Sequence, residues 1–199
     1  MTTSTAPARI CLIQGHPDPD TLHLGHTLAD AYRQGAIEAG HDVREIDVAT
    51  LDFPLLKNQY NWKEGSVPPS LLPAQAAIAW ASHIVLFYPL WLGDMPALLK
   101  GFLEQVARPG FAFGKDPANP FEATLKGRSA QVVVTMGMPA LVYRWYFRAH
   151  SLKSLERNVL GFVGMSPVRH TLVGSVEGLG EAGVRKWKAK LRAIGSLAH

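Results

Sequence analysis

Pro89-Leu90-Trp91-Leu92-Gly93 follows an unbroken apolar run, Ile84 to Phe87, and leads through Pro96 into a helical spacing of Leu98, Leu99, Phe102, Leu103 and Val106. A loop of that composition at the carboxyl end of a buried strand is where open α/β sheets bind ligands. Trp91 and Leu92 offer flat apolar surface, and Gly93 lets backbone approach a planar ring. Two further loops have complementary chemistry. Gly15-His16-Pro17 stops a first apolar run, and Thr21, Leu22 and His23 then enter a helix whose opening N–H groups and dipole suit an anion. Thr135-Met136-Gly137 closes the run Ala130 to Thr135 with a hydroxyl and a glycine. Read singly, each loop is equally an ordinary turn or a capped helix start.

The elements that must position these loops alternate along the chain. Apolar strands are expected at Ile10–Gln14, Val43–Val48, His83–Tyr88, Ala130–Thr135 and Val168–Val173. Helices are expected from Leu24 to Gly40, Ser70 to Ser82, Ala97 to Ala107 and from about Gly180. Residues 49–69, with Pro54, Pro68 and Pro69, read as irregular. Trp145, Tyr146 and Phe147 read as a helical segment packing on the sheet. Five strands alternating with helices imply a parallel sheet with right-handed crossovers, an α/β doubly wound domain over residues 8–199 behind a polar, disordered tail at 1–7. Strand order is beyond periodicity.

Composition excludes several classes. At 199 residues, with 47% hydrophobic and 18% charged, the chain can bury a core unaided. No apolar run reaches the ~18 residues of a membrane span, and the first residues lack the pattern of a secretory signal. The single cysteine, Cys11, reads as a core residue in a cytoplasmic protein. The net charge of +4 is spread thinly, apart from Arg185, Lys186, Lys188, Lys190 and Arg192 on one late helix. There Val184, Trp187, Leu191 and Ile194 form the buried stripe, so the basic residues read as a solvated face and nucleic acid is not an expected partner. His16, His23 and His26 match no zinc spacing, so no metal is expected. A G-x-G-x-x-G fingerprint is absent.

Taken together, Pro89, Trp91, Gly93, Met95-Pro96-Ala97, Leu99 and Lys100-Gly101 resemble the ring-binding loop of the NAD(P)H:quinone oxidoreductase family, flavodoxin-like flavoenzymes. His16-Pro17 with Thr21, Thr135 with Gly137, Phe111-Ala112-Phe113 and Leu125-Lys126-Gly127-Arg128 extend the resemblance from about Ala8 to Val173. The departures are His23 where an Asn is usual, and Met136 and Met138 in a turn that is usually Thr-Thr-Gly-Gly. The resemblance implies the flavodoxin-like strand order 2-1-3-4-5 and a homodimer. It implies FAD or FMN held by His16, Thr21, Leu22, His23, Pro89, Leu90, Trp91, Leu92, Gly93, Thr135, Met136 and Gly137. It further implies NAD(P)H as co-substrate, ping-pong hydride transfer to quinone-like acceptors, and Phe113 stacking on substrate. Tyr143 stands where these enzymes place a Tyr beside the flavin, with His150 one position late for its His partner. An electron carrier on the same fold, or a regulatory flavoprotein of a potassium-efflux system, stays open on these residues.

Overall fold

The computed structural model describes residues 7–20, 22–116, 118–119 and 122–198. Its centre is β3 (His83–Pro89) and β4 (Ser129–Thr135), buried almost throughout because helices cover both faces. β1 (Arg9–Gln14) lies beside β3, and β2 (Asp42–Asp47) and β5 (Val168–Val173) form the two edges. The order is β2-β1-β3-β4-β5 with every pair parallel, as the family resemblance implied. The reversal of strand order falls between β1 and β3, the topological switch point.

Strand alternation sorts the core into two layers. Ile10, Leu12, Val85, Phe87, Val133 and Val173 face α1 (Leu24–Glu38) and α7 (Gly180–Leu197), which contribute Leu28, Tyr32 and Leu191. Cys11, Ile13, Ile84, Leu86, Val132 and Val134 face the opposite layer. That layer is built by α3 (Leu72–Trp80), α4 (Ala97–Val106), the short α5 (Ala140–Trp145) and α6 (His150–Ser154), the last continued by a wide turn over Leu155–Gly161. Burial pushes the Cys11 thiol up to about 12, so it behaves as an inert core group.

Two expectations need correction here. The stretch 49–69 is not wholly irregular: it holds α2 (Gln59–Lys63), capped where the Asn58 side chain accepts from Asn61 N–H at 2.8 Å. Trp145, Tyr146 and Phe147 do not pack on the sheet but stand exposed, because α5 has only six residues and buries Tyr143 alone. Of the expected tail, residues 1–6 lie outside the described residues. Among the described residues, no helix is long and apolar enough to cross a membrane.

Candidate functional site

The strands end in register, Gln14 beside Phe87, Pro89 beside Thr135, Thr135 beside Val173, so their following loops meet at one edge. Backbone hydrogen bonds tie the loops together before any ligand arrives. Gly15 N–H donates to Phe87 C=O at 2.7 Å, Leu90 N–H to Thr135 C=O at 2.8 Å, and Met136 N–H to Val173 C=O at 2.9 Å. Gly15 is needed for this closeness, since a Cβ there would meet the Phe87 carbonyl at 2.9 Å and Leu99 at 2.6 Å.

The result is a cleft of about 430 Å³ lined by His16, His23, Leu24, Gly25, Pro89, Leu90, Trp91, Thr135, Met136, Gly137, Val176 and Glu177. Pro89, Leu90, Trp91 and Met136 give it apolar lining, with the half-exposed Trp91 edge-on to His16, ring centroids 5.7 Å apart. Gly137 N–H and the Thr135 hydroxyl have no partner among the described residues, leaving a donor and a donor–acceptor in the cleft lining. The cleft also holds imidazoles. His16 is buried and stacks on His23 at 4.1 Å, with His26 at 5.5 and 6.1 Å from the two.

Two carboxylates in the first loop are turned to local work. Asp18 accepts from Asp20 N–H at 3.0 Å and meets His23 Nε2 at 2.9 Å, and Asp20 accepts from Leu22 N–H at 3.0 Å. The His23 hydrogen bond, helped by the Asp20 N–H, holds the Asp18 carboxyl below the usual range. Neither Asp lines the cleft. His16 is held below the ordinary imidazole range, first by burial, while the Asp18 backbone opposes and the neighbouring His23 and His26 reinforce the shift.

Donor set and shape fit a phosphate-bearing tricyclic ring such as a flavin. Among the described residues, both ring nitrogens of His26 and Nε2 of Gln14 are buried without a partner, while Gln14 Oε1 accepts from His16 N–H at 3.1 Å. Among the described residues, α1 has no acidic residue in its first turn and no side-chain cap, which leaves its first N–H groups without a capping side chain.

Of the residues expected to hold a cofactor, His16, His23, Pro89, Leu90, Trp91, Thr135, Met136 and Gly137 are brought together. Thr21 lies outside the described residues. Leu22, 87% exposed, and Leu92, fully exposed, point to solvent, and Gly93 is not in the lining. Leu92 and Gly93 have φ of 48° and 80° and form the tip of a tight hairpin, Trp91 and Asp94 exchanging both backbone hydrogen bonds, which leaves the Leu92 side chain in solvent at the rim. The Tyr143–His150 pair is not formed. Tyr143 is buried, its hydroxyl 2.7 Å from Ser151 Oγ and accepting from Leu152 N–H at 3.2 Å, whereas His150 is exposed at the start of α6. Phe113, expected to stack on substrate, is buried against Trp62 and Phe162 within its own chain, centroids 5.6 and 5.5 Å away.

Sequence reasoning missed Val176 and Glu177, which enter from the loop after β5, where Ser175 N–H donates to Met138 C=O and Val176 N–H to Met136 C=O. The signal was positional: every loop after a strand's carboxyl end borders this edge. A larger groove of about 620 Å³ between α1 and α7 has less chemistry, its Arg192 being paired with Glu38 at 2.5 Å.

A five-stranded 2-1-3-4-5 sheet with its cleft at the switch point defines a flavodoxin-like protein. The chain belongs to the flavodoxin-like fold family, whose model matches residues 8–195. It is 28% identical over 195 residues to a Haemophilus influenzae protein named as an uncharacterized NAD(P)H oxidoreductase, covering 92% of this chain and 96% of the relative. It is 30% identical over 128 residues to an FMN-dependent NADH:quinone oxidoreductase of Ruegeria pomeroyi, covering 57% and 63%. Among solved structures, the NAD(P)H:quinone oxidoreductase of Methanothermobacter marburgensis superposes with a TM-score of 0.82 at 22% identity, over 98% of each chain. An FMN-dependent NADH-azoreductase of Bacillus anthracis in complex with FMN superposes with a TM-score of 0.72 at 16% identity, over 96% of this chain and 99% of that one. At those identities the two structures speak for the fold.

Proposed function

We propose that this protein is a flavin-dependent NAD(P)H oxidoreductase that passes two electrons to quinone-like acceptors. The observation that carries the reading is the preassembled cleft, which gathers apolar side chains, the stacked His16 and His23, and the unpartnered Gly137 N–H and Thr135 hydroxyl at the switch point. Relatives named as NAD(P)H oxidoreductases and FMN-dependent NADH:quinone oxidoreductases support it. Their names favour FMN over the FAD that the sequence resemblance slightly favoured. Pro89, Leu90, Trp91 and Met136 would border the ring and keep water from one side. Gly137 N–H and Thr135 would meet its heteroatoms, and His16, His23 and the start of α1 would hold the phosphate. A bound flavin supplies the two-electron chemistry, so the side chains need only bind, orient and exclude solvent. Nicotinamide and acceptor then use the same open side of the slot in turn, a ping-pong sequence. The exposed apolar side chains Leu22, Leu92, Leu141 and Tyr146 support a homodimer in which a second copy covers that side. The buried Cys11 supports a cytoplasmic setting.

The visible spectrum of the purified protein tests the reading. A yellow flavin band that bleaches without air on adding NADH or NADPH, and returns with a quinone, is the expected result. A protein that stays colourless after incubation with FMN and with FAD overturns it. A band that neither nucleotide bleaches would leave an electron carrier.

A further inference from the structure

Behind the cleft, on the α5–α6 side of the β5 edge, lies a second pocket of about 570 Å³, within the size range of small-molecule sites. Its floor is apolar, built from the buried Ala149 and Leu152 with Leu172. Its rim is cationic. Arg144, Arg148 and Lys153 line it, and none has a carboxylate partner among the described residues. The one acid in the lining, Glu156, is already engaged by His170 Nδ1 at 2.7 Å. Trp145 forms a flat wall, with the Arg144 guanidinium 5.9 Å from its ring. Between the helices, Arg148 and Ala149 both take left-handed backbone, φ 55° and 49°, without being glycine. Two consecutive strained residues fix the turn that brings Arg148 to the same rim as Arg144 and Lys153.

Three unneutralised cations around a heteroaromatic wall suit a phosphorylated nucleoside: guanidinium groups take phosphate oxygens in pairs, and an indole face takes a base. The main cleft supplies no Lys or Arg to its lining, so the 2′-phosphate of a nucleotide stacked there must find cationic partners elsewhere. α5 leads from one site to the other: Pro139 caps it two residues beyond the cleft-lining Gly137, and its six residues advance about 9 Å. That separation is within the span of an extended dinucleotide. We propose that this pocket, on the oxidoreductase reading above, binds the adenosine 2′-phosphate end of the nicotinamide nucleotide and makes the protein prefer NADPH over NADH.

The test compares the flavin-loaded protein with its Arg144→Gln and Lys153→Gln variants. Both changes remove charge at helical positions that tolerate Gln, and flavin absorbance and thermal melting check that the variants are intact. The expected result is a KM for NADPH raised about tenfold by each change, as for loss of one charge-assisted contact, with KM for NADH and kcat within about twofold. Calorimetric titration with adenosine 2′,5′-bisphosphate reads the pocket without turnover. Binding to the native protein, weakened about tenfold in each variant, supports the assignment even in a preparation that does not reduce quinones. No binding of the bisphosphate, or equal binding to native and variant proteins, overturns it. Equal effects of the variants on the KM of NADH and NADPH overturn the 2′-phosphate preference.

Discussion

The imidazole of His16 lies stacked on that of His23, ring centroids 4.1 Å apart and planes 24° from parallel, at the end of the cleft where a helix begins. Two like groups so close, one of them buried, resist double protonation, and His16 is accordingly held below the ordinary imidazole range, by burial first. The sign follows from linkage. The unfolded chain binds a proton at His16 more readily than the folded one, so this group's contribution to stability is complete above its unfolded pKa, about 6.5, and is lost as pH falls toward the lower folded value. A bound phosphate reverses the preference by offering the proton a counter-charge. Flavin binding is therefore expected to take up protons and to tighten as pH falls from about 7.5 toward 6, where the phosphate itself begins to protonate. Titration calorimetry at fixed pH in buffers of different ionisation enthalpy checks this, and enthalpies that agree across buffers would refute it. His16→Asn should abolish the uptake and weaken flavin binding by about tenfold.

Tyr143 gives a second expectation, because its hydroxyl is committed to Ser151 and to Leu152 N–H rather than to the cleft. Tyr143→Phe removes both bonds from a buried site and should cost about 1–2 kcal/mol of stability. The rate of quinone reduction should change by less than about threefold, since 1.4 kcal/mol in the barrier would already be tenfold. Denaturant unfolding and steady-state turnover, measured on the same preparation, separate the two. An unchanged unfolding midpoint with a hundredfold loss of rate would assign the hydroxyl to the chemistry.

The sheet was legible because buried parallel strands read as unbroken apolar runs, Ile84–Tyr88 and Val132–Val134, while the edge strand at Val43 alternates. Much of the cleft was legible because proline, glycine and threonine punctuate those runs at the end where ligands bind. What escaped depends on contacts distant in sequence. Phe113 turns inward because Trp62 and Phe162 meet it there, and neither is signalled by local spacing. Tyr143 finds Ser151 only because the chain reverses through left-handed Arg148 and Ala149, residue types that do not announce such a turn. Val176 and Glu177 are polar or small in a loop without aromatic residues, so composition alone did not mark them.

Arg108 anchors the segment that carries α2, and it does so with no acidic partner among the described residues. Its buried guanidinium donates to the carbonyls of Gln105 at 3.1 Å, Asn61 at 2.5 Å and Gly65 at 2.8 Å, and to the Gln105 side chain. Burial pulls its pKa down, yet an arginine stays charged in proteins, so the charge depends on these neutral acceptors. Arg108→Ala leaves the carbonyls unsatisfied and should cost about 3 kcal/mol. The loss should be uneven, with the backbone of 58–66 loosening first. Limited proteolysis should then cut that segment early in the variant, and a cleavage pattern identical to that of the native protein would count against the anchoring role.

Leu92 sits at the tip of the Trp91–Asp94 hairpin with φ 48°, followed by Gly93 at 80°, a two-residue turn that favours Asn-Gly. A leucine in left-handed backbone costs roughly 1–2 kcal/mol, and this one also leaves its whole side chain in water. Neither feature helps the isolated chain fold, so the side chain's use must lie in something that meets the tip, beside Trp91 at the rim of the cleft. Leu92→Asn keeps the turn, removes most of the strain and should raise stability by about 1 kcal/mol. It also removes the apolar tip. On the homodimer reading, the variant should dissociate at higher concentrations than the native protein, and on the acceptor reading KM for a quinone should rise several-fold with flavin content unchanged. Sedimentation and steady-state kinetics distinguish these. A variant that is more stable yet unaltered in both assembly and KM would show that the strain at Leu92 serves neither role.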